Sequence, residues 1–169
     1  MTPNATLPLP PGRHSRLGLA WVLLCIALAL HVTDEALTNF LGVYNPTIIA
    51  LRGRFPWWPM PVFTFRVWLS GLVIAIVLLL AVSPFVFRGA RWMRPIAYIF
   101  AIIMLANGLS HTAGTIFGRG LVASVHFARP MPGFYSSPLL LAGSIYLLWQ
   151  LRRTKPEPQQ VRAQDWTDI

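Results

Sequence analysis

Acidic side chains are nearly missing from the body of this chain. Only five of 169 residues are Asp or Glu, and Glu157, Asp165 and Asp168 lie in a polar C-terminal tail. Charged residues make up 11% of the sequence, less than half the roughly 25% of a soluble domain, which excludes an ordinary water-soluble globule. A second cysteine is also missing. Cys25 stands alone among leucines, which excludes an intramolecular disulfide and any multi-cysteine metal site, and as a small buried hydrophobe it needs no further role. No Cys-x-x-Cys-His attachment, Ser-His-Asp arrangement or glycine-flanked nucleophile occurs. Nor is there an internal repeat, so alternating access by inverted repeats is a poor match.

What remains is apolar: 55% of residues are hydrophobic and the mean hydropathy is +0.57. The composition points to an integral membrane protein with one domain. The formal charge of +9 comes from residues scattered between apolar runs, without the single stripe and interleaved aromatics of a nucleic-acid surface. They read as topology signals and lipid headgroup contacts. Apolar runs cover Leu17 to Leu30, continuing as a mixed helix to about Leu41, then Val62–Phe87, Pro95–Phe117 and Phe134–Leu151. Each is near the ~20 residues that span the hydrocarbon. The expected fold is therefore all-α, a four-transmembrane-helix bundle over residues 17–151. An N-terminal segment (1–16) and a polar tail (152–169) flank it.

The first run is short before His31. Arg13 and Arg16, the apolar stretch and Ala27-Leu28-Ala29 together resemble a secretory signal, with cleavage after Ala29 as a rival reading. With four spans both termini share a side. That side collects Arg13, Arg16, Arg88, Arg91, Arg94, Arg152, Arg153, Lys155 and Arg162, against Arg52, Arg54, Arg119 and Arg129 opposite, with Arg66 close to them. The excess favours cytoplasmic termini in a bacterial inner membrane.

Between the first two runs, Gly42–Pro61 carries Tyr44, Pro46, Pro56, Trp57, Trp58, Pro59 and Pro61. It is too proline-rich for a regular helix throughout. It reads either as an interfacial aromatic belt or as a lid over a site on the outer side.

The only two acids in the apolar body, Asp34 and Glu35, are adjacent and one helical turn from His31. Ionisable groups in a membrane segment mark a functional site by default. Counting from the cytoplasmic face at ~1.5 Å per residue puts His31 about 21 Å across and Glu35 about 27 Å, with Asn107 and His111 of the third helix at roughly 18 and 24 Å. Arg66 of the second falls at about 31 Å. Three helices thus place polar groups in one outward layer. Asn107 and His111 repeat the i, i+4 spacing, and Gly108 and Gly114 permit a close helix approach. Arg66 is expected to balance Asp34 or Glu35 and to contact substrate. His126, in the loop before the last helix, is expected to face water.

The stretch His31-Val32-Thr33-Asp34-Glu35 resembles the His-x-x-Glu-Glu signature of the HXXEE-domain family of small bacterial membrane proteins. Asn107-Gly108-Leu109-Ser110-His111 is similar to that family's Asn-x-x-x-His, and Arg129-Pro130-Met131-Pro132-Gly133 to the basic residue and Pro-Gly before its last helix. The chain departs from the pattern at Asp34, where the family has its first Glu. The resemblance implies a polytopic helical membrane protein with a polar site and no particular reaction.

Several chemistries suit the constellation. In acid–base catalysis on a lipid or other hydrophobic substrate, Glu35 gives or takes the proton, His31 and His111 partner it, and Asn107 donates a hydrogen bond to substrate. His31, Glu35 and His111, with Asp34 as a fourth, are also suitable ligands for zinc or iron. A haem held non-covalently between His31 and His111 is less attractive beside adjacent acids. The non-enzymatic alternative is a proton or ion relay, a small transporter or a binding protein without turnover, with homo-oligomerisation supplying a second half.

Overall fold

The computed structural model describes residues 12–120, 122, 125–127 and 129–154; most of the N-terminal segment and the tail beyond Thr154 lie outside these. Within them all regular structure is helical: α1 (Arg13–Leu37), α2 (Leu41–Arg54), α3 (Phe65–Ala81), α4 (Ser83–Phe87), α5 (Met93–Phe117) and α6 (Ser137–Arg153).

α1 forms because residues 17–30 are an unbroken series of helix-tolerant apolar side chains with no proline. Its buried face includes Leu17, Trp21, Leu24, Leu28, His31 and Glu35, alternating steps of four and three along one seam. The helix ends at Leu37, earlier than the expected Leu41. Thr38 caps it by donating its N–H to the Asp34 carbonyl, and Asn39 takes the left-handed conformation at φ 59°, as Asn does after helix ends.

The segment after this turn is the main departure from expectation. Residues 41–54 are helical despite Pro46, which only forfeits the bond to the Gly42 carbonyl. The other prolines fall beyond the helix. Asn45 fastens this unit to the entry of α3: its side chain donates to the Phe63 carbonyl (2.9 Å) and accepts from the Phe63 N–H (3.0 Å). Tyr44 donates to the Pro61 carbonyl at 3.0 Å.

Val82 interrupts the second apolar run between α3 and α4, where Pro84 cannot donate to continue the ladder. Pro95 lies in the first turn of α5 and Pro138 in that of α6, positions whose N–H groups have no intrahelical partner. α6 starts at Ser137, later than the expected Phe134, because residues 132–136 form turns.

α1 packs against α3, α4, α5 and α6, and α5 against α6. Trp21 is fully buried and donates its indole N–H to the Leu79 carbonyl at 2.9 Å. At Gly108 a Cβ would lie 3.0 Å from Leu141 and 3.3 Å from the Ser137 carbonyl, so glycine sets the α5–α6 approach. Arg94, at the start of α5, donates to the carbonyls of Leu151 and Thr154 at the end of α6.

Three stretches are long and apolar enough to cross a membrane: Arg13–Leu37, Phe65–Phe87 and Met93–Phe117. α6, at 17 residues, is shorter. Val67, Ile74, Val77 and Leu78 of α3 and Ile99, Ile102 and Ile103 of α5 are exposed, as suits side chains that face lipid. Between such helices lipid tails are as apolar as leucine, so association rests on packing and polar contacts rather than on transfer from water.

Candidate functional site

His31 and Glu35 continue the apolar seam of α1, so the register that buries Leu24 and Leu28 also turns them inward. His111 lies on the buried face of α5 with Ala97, Ala101 and Gly108. His31, Glu35 and His111 are 0%, 4% and 2% exposed. Glu35 Oε1 lies 3.5 Å from His31 Nε2 and 3.2 Å from His111 Nε2. The two imidazoles meet edge to face, with centroids 4.8 Å apart and planes at 77°.

Asp34 belongs to a second ring of contacts. Its Oδ2 accepts from the Ser136 N–H (2.9 Å) and hydroxyl (2.8 Å), and the same hydroxyl lies 2.8 Å from His31 Nδ1. On the other side, His111 Nδ1 donates to the Pro132 carbonyl. Residues 132–136 thus strap the end of α1 to α5, held further by the Gly133 N–H donating to Thr38 Oγ1 at 3.2 Å. Gly133 has φ +82°, and a Cβ there would lie 3.0 Å from Glu35 Cγ and from the His111 ring. Only glycine meets both demands without strain.

Beside the triad lies a cavity of about 500 Å³ between α2 and α5. Val43, Ile48 and Leu51 form one wall, Asn107, Ser110 and His111 the other, with Trp58 and Arg119 at its margins. Trp58 Nε1 is buried without a hydrogen-bond partner. Burial raises the Tyr44 phenol above its ordinary pKa, with nearby Arg52 acting the other way.

The expected site residues separate into three groups. His31, Glu35 and His111 come together. Asp34 and Asn107 flank them, Asp34 through Ser136 and Asn107 in the cavity wall. Arg66 stays apart: it is exposed near the start of α3, outside the cavity lining, and among the described residues it pairs with neither Asp34 nor Glu35. The expected charge balance is thus replaced by hydrogen bonds to Asp34 and by the two histidines around Glu35. His126 is exposed. The sequence does not mark Ser136 or Thr38; Pro132 lies in the Pro-Gly step before the last helix, and the α2 wall lies in the Gly42–Pro61 stretch that reads as a belt or as a lid over an outer site.

The donor set suits a small cation and not a haem. Axial ligation needs the two imidazoles on opposite faces of a porphyrin, whereas these rings touch and one carboxylate oxygen faces both Nε2 atoms. One ligand atom each from His31, Glu35 and His111 lies within 4.8 Å of the others, near enough for one metal ion to hold all three after a small shift of the side chains. Asp34, considered as a fourth ligand, is engaged by Ser136.

No protein-family model, curated protein or solved structure matches the chain.

Proposed function

We propose that this protein is an enzyme of the bacterial cytoplasmic membrane, of the HXXEE-domain type, acting on a lipid or other hydrophobic substrate held between α2 and α5. One observation carries the reading: His111 belongs both to the buried triad and to the wall of the apolar cavity. Ligand sites are concave and mostly apolar with a few convergent polar groups, and this cavity has that character.

In this reading α6 is the fourth span. Its 17 residues give about 26 Å, close to the ~30 Å hydrocarbon core, and Arg152 and Arg153 end it. Both termini are cytoplasmic by the excess of arginine on their side, and the triad lies toward the outer leaflet. The substrate's apolar body lies along Val43, Ile48 and Leu51, with Asn107 donating a hydrogen bond to its polar group. Glu35 and His111 supply the acid–base or cation-assisted step where the cavity meets the triad.

A second reading rests on a different observation. The His31 Nδ1–Ser136–Asp34 chain leads from buried Glu35 toward a half-buried carboxylate, which is the form of a proton relay. One preparation tests both. Wild type and Glu35→Gln are reconstituted with a bacterial lipid extract, and lipids are profiled by mass spectrometry while vesicle pH is followed. A lipid product formed by wild type alone supports the enzyme. Proton flux without product, abolished by Glu35→Gln, supports the relay instead.

A further inference from the structure

The hydrogens around the triad can be assigned from its partners. The Pro132 carbonyl only accepts, so His111 Nδ1 carries the hydrogen of that bond. Ser136 has one hydroxyl hydrogen, and both other partners of its oxygen, Asp34 Oδ2 at 2.8 Å and the Gly133 carbonyl at 3.2 Å, are acceptors. With Asp34 as a carboxylate the hydrogen goes to one of them, and His31 Nδ1 donates to the remaining lone pair at 2.8 Å. In the neutral rings both Nε2 atoms then hold lone pairs, and both face Glu35 Oε1 at 3.5 and 3.2 Å. Three electron-pair donors converge with no hydrogen among them.

A cation must occupy such a point. One proton serves the His111–Glu35 contact and leaves His31 Nε2 without the partner it already lacks. A metal ion serves all three donors. Tetrahedral zinc with bonds of about 2.0–2.1 Å has ligand atoms about 3.3 Å apart, close to the 3.5 and 3.2 Å between Glu35 and the two imidazoles, and binding would draw the imidazole nitrogens, within 4.8 Å of each other, together by at most about 1.5 Å. The surroundings agree too, because metal-bound imidazoles use the other ring N–H to bond a carbonyl or carboxylate that fixes the tautomer. Pro132 does this directly and Asp34 does it through Ser136. Two imidazoles and one carboxylate suit zinc or ferrous iron, whereas calcium and magnesium want a shell of oxygens.

We infer that His31 Nε2, His111 Nε2 and Glu35 Oε1 ligate one divalent transition-metal ion of the zinc or iron class, with Asp34 and Ser136 as positioning residues. For its use in turnover the inference rests on the enzymatic reading; for its existence it does not.

The test is metal content. Full-length protein carrying a tag without histidines is purified in detergent, stripped with chelator, titrated with Zn²⁺ or Co²⁺, and analysed for metal after desalting. Wild type is expected to hold about one equivalent, as a three-ligand site should, and the cobalt form to show the visible absorption of low-coordinate Co²⁺. His111→Ala and Glu35→Gln lose both signals. Asp34→Asn keeps the stoichiometry at saturation but binds about tenfold or more weakly, as expected for an outer-shell partner. Wild type that retains none of Zn²⁺, Co²⁺ or Fe²⁺ overturns the inference even if a variant fails to fold. Equal metal in wild type and a monodisperse His31→Ala/His111→Ala variant also overturns it. Lipid turnover by metal-free protein overturns the metal's use in turnover and spares the enzyme; a loaded centre without turnover spares the metal site and overturns the enzyme.

Discussion

Glu35 Oε1 lies 3.2 Å from His111 Nε2, joining α1 to α5 by a polar contact inside an apolar bundle. Because lipid offers no hydrophobic drive between helices, contacts of this kind weigh heavily in fixing how α1 and α5 meet. With the inferred cation in place, Glu35→Ala removes one of its three buried ligands, and leaving a buried polar group unsatisfied costs about 1–3 kcal/mol, more for a charged one. The expected outcome is a lower unfolding midpoint in detergent, with Arg66→Ala as an unchanged control. Equal midpoints for wild type and Glu35→Ala would show that the contact does not organise the bundle.

The strap across the site makes a separate demand. Among the described residues Ser136 alone bridges Asp34 to His31, so Ser136→Ala frees the ring without replacing a ligand. Cobalt affinity should fall about tenfold at unchanged stoichiometry, and Ser136→Thr, which keeps the hydroxyl, should restore most of it. A purely structural role would lower stability equally in both variants and leave the affinity of correctly folded protein alone.

How much of this could be read from the chain depends on which force placed each part. The apolar runs marked α1, α3 with α4, and α5 because bilayer burial acts on every residue of a span. His31, Glu35 and His111 were legible because the seam that buries Leu24 and Ala101 continues through them. α2 was not. Its mixed sequence contains Pro46, and tertiary contacts hold it: Asn45 on Phe63, and Val43 packed with Val122 and Val125. Arg66 was misplaced for a geometric reason. Counting residues gives height along a helix but not azimuth around a bundle, and the register at Arg66 turns it outward. Ser136 left no trace, because a serine after a turn looks the same whether or not it bridges two distant side chains.

The cavity can be tested without disturbing the triad. Ala113 lines it, six residues along α5 from Asn107 and short of any polar role. Ala113→Trp fills space in a cavity of about 500 Å³, so substrate is excluded while metal content and the cobalt spectrum stay as in wild type. The measurement is lipid-product formation beside elemental analysis. Undiminished turnover in Ala113→Trp would place the substrate elsewhere.

The first helix decides whether the site exists in the mature protein. Cleavage after Ala29 would remove Trp21, Leu24 and Cys25, all fully buried, along with the indole bond to Leu79 at 2.9 Å. What remained would be His31 one residue from a new, charged N-terminus, with α3, α4 and α6 stripped of the helix they pack on. Loss of even one large core side chain costs several kcal/mol, comparable with the whole stability of many domains. We therefore expect the bond between Ala29 and Leu30 to stay intact in the membrane-inserted protein. Mass spectrometry of purified material should recover peptides spanning that bond, and the intact mass should include residues 13–29. A mature chain beginning at Leu30 would remove the seam that turns His31 and Glu35 inward, and the site with it.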